Sequence, residues 1–211
     1  MSNRSLVACL LMIAAACVAT AWYWPQLPAQ VPVHWNAAGV IDGYGPRAAL
    51  LLLGPGLMSA ITLLCMLLPR ISPRGFDIAS FASTYYYICA VTVALMGYVY
   101  ALVLMDVVHG SVPMQRAIPA GMCALLILMG NPLGKVRRNF FMGIRTPWTL
   151  ASDAVWYATH RLAARLMVAS GLLGLVAVAL AAPHWMLLAL MLAWAPLAAG
   201  YSLLMYKRLP H

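Results

Sequence analysis

Acidic residues are almost absent from this 211-residue chain, which carries 4 Asp+Glu, all of them aspartate, against 13 Lys+Arg. Without a single glutamate, a paired-glutamate glycosidase and a HExxH metalloprotease are excluded. Charge of either sign is scarce: 8% of residues are charged, where a soluble domain carries about 25%. Cysteine provides no framework. Cys9, Cys17, Cys65, Cys89 and Cys123 lie singly inside apolar runs with no CxxC pair, which reads as small buried hydrophobes, not as disulfides or a thiolate metal site. The formal charge of +9 comes in short runs between apolar segments. With no basic stripe or interleaved aromatic platform, nucleic acid is not an expected partner.

What is present is apolar. Hydrophobic residues make up 64% of the chain, against about 45–50% in soluble proteins, which is more than a soluble fold of this size can keep from water. The chain reads as an all-α membrane protein. A hydrocarbon layer of about 30 Å takes about 20 residues of helix. Six stretches qualify: Ser5–Trp24, Ala48–Leu68, Phe81–Val108, Ile118–Gly130, Leu162–Ala182 and Trp185–Tyr206. The expectation is a six-transmembrane helical bundle forming a single membrane domain over residues 1–211. The fourth stretch is short and is broken at its end by Asn131-Pro132-Leu133-Gly134, which reads either as a cavity-lining break or as a tilted helix that simply starts earlier, near Val112; Gly54-Pro55-Gly56 interrupts the second. In the fifth, Ser170 and Gly174, four apart, permit close helix contact. Pro183-His184 leaves a tight hairpin between the last two. Ala19-Thr20-Ala21 imitates a signal-cleavage site, but Trp22, Tyr23 and Trp24 read as the interfacial belt of a retained first span.

Orientation follows from the basic residues. A cytoplasmic N-terminus puts Arg4, Arg70, Arg74, Lys135, Arg137, Arg138, Arg145, Arg161, Arg165, Lys207 and Arg208 inside, leaving only Arg47 and Arg116 outside. Both termini are therefore expected in the cytoplasm, across a bacterial cytoplasmic (inner) membrane.

Two segments are more than membrane. The outer loop 25–47 has prolines at 25, 28 and 32, which favour extended, polyproline-like chain, and glycines at 39, 43 and 45 that allow tight turns. His34, Asn36 and Asp42 are its polar groups. With Asp106 and His109 from the other large outer loop, His34 and Asp42 are the candidate ligands for a two-His, two-Asp cation site. The alternative is a hydrogen-bonded His with Asx turns that hold the loop's shape. The inner loop 131–161 is basic, and Thr149 or Ser152 can cap a following helix. On that helix Trp156, His160 and Ala163 share a face, so it is expected to lie along the interface before turning into the fifth span. Its charges suit contact with membrane lipids or the docking of a cytoplasmic protein.

These residues carry a resemblance. The run Leu27-Pro28…Val31-Pro32-Val33-His34-Trp35-Asn36…Gly39…Asp42-Gly43 resembles the DUF1648-type extracytoplasmic motif found in the SdpI immunity family. Lys135…Arg137…Asn139…Gly143-Ile144-Arg145-Thr146-Pro147-Trp148-Thr149-Leu150…Trp156…Thr159-His160-Arg161 is similar to that family's cytoplasmic signature. The resemblance implies an immunity protein that protects a cell against a secreted antimicrobial peptide toxin. It implies a second, signalling role in which an autorepressor of the ArsR type is recruited to the membrane. On that basis His34, Trp35, Asn36 and Asp42 would sense toxin at the outer face, with Tyr98 and Tyr100 adding apolar contact. Asn139, Arg145, Thr146, Trp148, Trp156 and His160 would dock the partner at the inner face. No catalytic residue and no cofactor is assigned. The alternatives are a small membrane transporter, against which stands the lack of charge near the centre of any span, and a metal-dependent membrane hydrolase acting on a peptide.

Overall fold

The computed structural model describes residues 3–36, 38–73, 76–110 and 112–209; Arg74, counted in the charge bias, lies outside them. Six helical segments are long and apolar enough to cross a membrane: Arg4–Gln26, Ala49–Ile71, Ala79–His109, Met114–Leu133, Asp153–Ala179 and His184–Arg208. The chain is a multi-pass, all-α membrane bundle with one small sheet.

The first span is α1 (Asn3–Tyr23). A β-hairpin follows, with β1 (Gln30–Trp35) antiparallel to β2 (Ile41–Pro46). The second span combines α2 (Ala49–Leu51), a π-turn over Leu52–Gly56 and α3 (Leu57–Leu67). Pro55 lies inside the π-turn; having no N–H, it cannot continue the α-ladder, and a wider turn absorbs the defect. The third span is α4 (Ala82–His109), ended by left-handed Gly110 whose N–H reaches the Asp106 carbonyl at 2.7 Å. The fourth is α5 (Met114–Leu133). A short helix α6 (Pro147–Ala151) precedes the fifth span, α7 (Asp153–Ala179). The sixth is split into α8 (His184–Leu192) and α9 (Trp194–Arg208) at Ala193. Pro196 has no N–H to give the Leu192 carbonyl, which places the break there.

The second span packs on both α1 and α4. α4 lies between α1 and α5, α5 packs most extensively on α7, and α9 covers the far side of α7. The Thr20 hydroxyl, bonded to the Tyr100 hydroxyl and the Ala16 carbonyl, ties α1 to α4. Two buried clusters mark the two ends. Leu27, Val31, Leu50, Met58, Tyr100 and Leu104 form the one beneath the hairpin. Phe81, Tyr85, Leu133, Val136, Trp156 and Met167 form the one at the basic-loop end. α4 contributes to both.

Four sequence-based expectations change. The proline-punctuated outer segment is a hairpin, not a polyproline-like strand. The fourth span begins at Met114, in keeping with the expected early start near Val112, but it is not broken at Asn131 and runs through Pro132 to Leu133. The glycines of α7 that face α5 are Gly171 and Gly174, both buried, whereas Ser170 is only half-buried. The helix that bears Trp156, His160 and Ala163 is not separate from the fifth span, because α7 is continuous from Asp153 to Ala179. Arg161 and Arg165 interrupt the hydropathy there but not the backbone hydrogen bonds, and Ser152 caps the helix by accepting from the Val155 N–H.

Candidate functional site: a polar hairpin and a buried basic-loop knot

At the hairpin end, register decides which groups meet. His34 lies opposite Gly43, and its Nδ1 is 2.5 Å from Asp42 Oδ1. The pair is open to solvent, with side chains 70% and 44% exposed. Asn36 has another task. Its Oδ1 accepts from the backbone N–H groups of Ala38 at 2.9 Å and Val40 at 3.1 Å, and its own N–H donates to the Val40 carbonyl. It builds the turn, as an Asx residue does. Gly39 in that turn has φ +75°, and a Cβ there would meet Gln115 at 2.8–2.9 Å. The hairpin tip is thus seated on the first turn of α5. Trp35, Asn36 and Gly39 share a small cleft with Met114, Gln115 and Ile118, about 190 Å³ in volume. At the base of the hairpin Val31 and Leu27 are buried, and the Arg47 guanidinium lies 4.9 Å over the Trp24 ring.

The other candidate groups at this end have separate roles. Asp106 Oδ1 accepts from the Val112 N–H at 3.3 Å, and the His109 ring packs edge-on against Tyr23. Among the described residues no three His, Cys, Asp or Glu side chains come together as a metal cluster. Tyr98 donates to the Ala117 carbonyl at 2.9 Å. Tyr98 and Tyr100 both line a cleft of about 500 Å³ between α1 and α4.

At the basic-loop end the chain folds into a knot of satisfied polar groups. Asn139, fully buried, uses all its hydrogen-bonding capacity. Its Nδ2 donates to the Arg137 and Met142 carbonyls at 2.8 and 3.1 Å, and its Oδ1 accepts from the Phe141 and Met142 N–H groups at 2.8 and 2.9 Å. His160 is equally committed. The Ile144 N–H donates to Nε2 at 3.0 Å, so the ring proton sits on Nδ1, which donates to the Trp156 carbonyl at 2.8 Å. Trp156 stacks on His160 with centroids 4.0 Å apart and donates from Nε1 to the Val136 carbonyl at 2.8 Å. Gly143 completes the contact: its φ is +106°, and a Cβ would lie 2.3 Å from His160 Nε2. Only glycine fits.

Thr146 starts α6 as its N-cap, accepting from the Thr149 N–H at 3.2 Å, while Thr149 Oγ1 donates to the Ile144 carbonyl at 2.7 Å. Thr146 also bonds Ser202 Oγ at 3.0 Å, which fastens the loop to α9. Arg138 holds the loop's edge by bonding the Leu150 carbonyl at 2.7 Å and Asp153 at 2.8 Å. The Arg145 guanidinium reaches back to the Phe140 carbonyl.

Of the six inner residues singled out from sequence, Asn139, Trp156 and His160 are buried, Thr146 and Trp148 are half-buried, and only Arg145 is exposed. Phe140 stands exposed beside it. Sequence reasoning missed Ser202 and Gly143 as members of the knot. Gly143 stands between Met142 and Ile144 in a mostly apolar run, so no local turn signal marks its positive φ.

Residues 135–202 match the SdpI/YfhL protein family, and residues 11–59 match a domain of unknown function, DUF1648. Over 51 residues the chain is 37% identical to "Immunity protein SdpI" of Bacillus subtilis (strain 168). That match covers 24% of this chain and 25% of the relative, a quarter of its length. No solved structure matches the chain.

Proposed function

We propose that this chain, a member of the SdpI family, is a membrane immunity protein that confers resistance to a secreted antimicrobial peptide toxin and reports its presence to a cytoplasmic repressor. In this reading the hairpin end faces outward, the basic-loop end and both termini face the cytoplasm, and the membrane is the bacterial inner one. The observation that supports it is the pairing of two motif-bearing segments, one at each end of the bundle and both joined to α4 and α5. The hairpin offers toxin an exposed His34–Asp42 pair beside Trp35. The neighbouring cleft between α1 and α4 offers apolar surface with the Tyr98 ring at its wall, which suits an amphipathic peptide at an interface.

At the inner end the work divides. Asn139, Thr146, Trp156 and His160 hold the loop's shape, and Arg145, Trp148 and Phe140 supply the surface that a partner touches. A bound peptide shifts the inner surface only by its differential affinity for two arrangements of the bundle.

The test is expression in a sensitive host, challenged with secreted peptides encoded near the protein's own gene. Survival should rise with the wild type and fall with a His34→Ala/Asp42→Ala variant that is still inserted at normal levels. Arg145→Ala/Trp148→Ala should retain survival yet lose co-purification of the repressor. Survival unchanged by the outer variant, or recruitment unchanged by the inner one, refutes the corresponding half.

A further inference from the structure

The exposed face of α7 carries two arginines for which no counter-charge is found among the described residues. Arg161 and Arg165 are four residues apart on one face, and both are exposed. Neither has an ion pair or hydrogen bond among the described residues; Asp153, the acid on the same helix, is taken by Arg138. The same stripe continues as Ala169, Leu172 and Val176, all exposed, with Leu172 and Val176 at 53% and 56%.

Depth sharpens the point. A helix rises about 1.5 Å per residue and a hydrocarbon layer is about 30 Å thick. Counting back about 20 residues from the far end of α7 at Ala179 sets the boundary beside His160. Arg161 then sits at that boundary and Arg165 about 6 Å inside it, facing lipid. A guanidinium there is costly unless it snorkels to a headgroup and meets an anion. Gly134, at the end of α5, lies against the Arg161 side chain, 3.7 Å from the position of a Cβ to Arg161 Cγ. The next residue, Lys135, is exposed, and its ammonium has no ion pair among the described residues.

We propose that Arg161 and Arg165, with Lys135, form a site for one anionic phospholipid, its phosphate between the guanidiniums and an acyl chain along Ala169, Leu172 and Val176. Guanidinium matches a phosphate oxygen pair better than ammonium does, and the apolar continuation of the stripe distinguishes a lipid from a soluble acidic protein. The inference rests on membrane placement alone and is independent of toxin or repressor.

The test uses the full chain in neutral detergent. Native mass spectrometry and thermal melts are run with dioleoylphosphatidylglycerol, with dioleoylphosphatidylcholine, and with glycerol 3-phosphate. Wild type should retain the anionic lipid at least tenfold better than the zwitterionic one and melt higher in its presence. Arg161→Gln/Arg165→Gln should lose that preference while melting normally in the zwitterionic lipid. Lys207→Gln/Arg208→Gln, which removes equal charge at the end of α9, should leave the preference intact. Equal loss in this control, equal retention of both lipids, unchanged preference in the arginine variant, or full protection by glycerol 3-phosphate alone overturns the proposal. Capture of polyglutamate through the same two arginines in preference to the lipid also overturns it.

Discussion

Replacing Gly143 by alanine should loosen the basic-loop knot, and the structure sets the size of the effect. Alanine at φ +106° forces an L residue into left-handed territory, at a cost of about 1–2 kcal/mol. Its Cβ would also lie 2.3 Å from His160 Nε2. The ring must move, breaking the 3.0 Å bond from the Ile144 N–H; leaving that pair unmade costs about 1–3 kcal/mol more. The total is about 2–5 kcal/mol. Because the second part exists only while the imidazole is there, the effect must depend on His160. In a His160→Ala background the hydrogen bond is already gone and the steric conflict is removed, so Gly143→Ala should cost only the backbone part. A double-mutant cycle read by reversible unfolding in mixed micelles should give a coupling of at least about 1 kcal/mol. Additive effects within about 0.3 kcal/mol would refute the idea that Gly143 is there to admit His160.

Other perturbations separate scaffold from surface. Trp156→Phe keeps the stack on His160 but strands the Val136 carbonyl, and should lower stability by about 1–3 kcal/mol in the same unfolding assay. Asn139→Ala removes four hydrogen bonds of a buried side chain. The loop should open, and trypsin should cut at Arg137 or Arg138 faster than in wild type while cutting at Arg116 stays unchanged. Asp42→Asn, by contrast, disturbs a pair open to solvent and should change stability by less than about 1 kcal/mol. Any large effect of that variant belongs to ligand binding, measured as loss of survival under peptide challenge.

The spans were legible because apolar composition over about 20 residues is a one-dimensional signal. Their ends were less so. The start of the fifth span was set nine residues late, at Leu162 in place of Asp153, because hydropathy dips at Arg161 and Arg165 while the helix is held by backbone bonds that no side-chain scale senses. In the outer loop, Pro32 suggested open polyproline chain, yet it sits buried in a strand of a two-stranded sheet, where each strand has a free edge and a missing N–H is tolerated. The His34–Asp42 contact spans eight residues and appears only once the hairpin register is known. Thr146 and Ser202 are 56 residues apart, and nothing local to either residue announces their bond. Residue types at the sites were readable; whether each faces inward or outward was a property of packing.

That last distinction bears on how the two ends communicate. The basic-loop side chains with the strongest sequence signal, Asn139, Trp156 and His160, spend their polar atoms on the chain itself, so what they specify is the shape of a loop. Shape can respond to a distant event only through elements that touch both places. Among such elements, α4 enters both buried clusters, and α5 carries Gln115 beneath the hairpin tip at one end and Leu133 beside Val136 and Trp156 at the other. Pressure on Gly39 is therefore applied to the same rod whose far end leads into the Asn139 turn. A close-packed rod transmits displacement with little loss. The coupling is energetic only if the knot has a second arrangement of nearby free energy, and that arrangement must break one of the bonds that join the loop to α7 or α9, such as Ile144–His160, Trp156–Val136, Arg138–Asp153 or Thr146–Ser202.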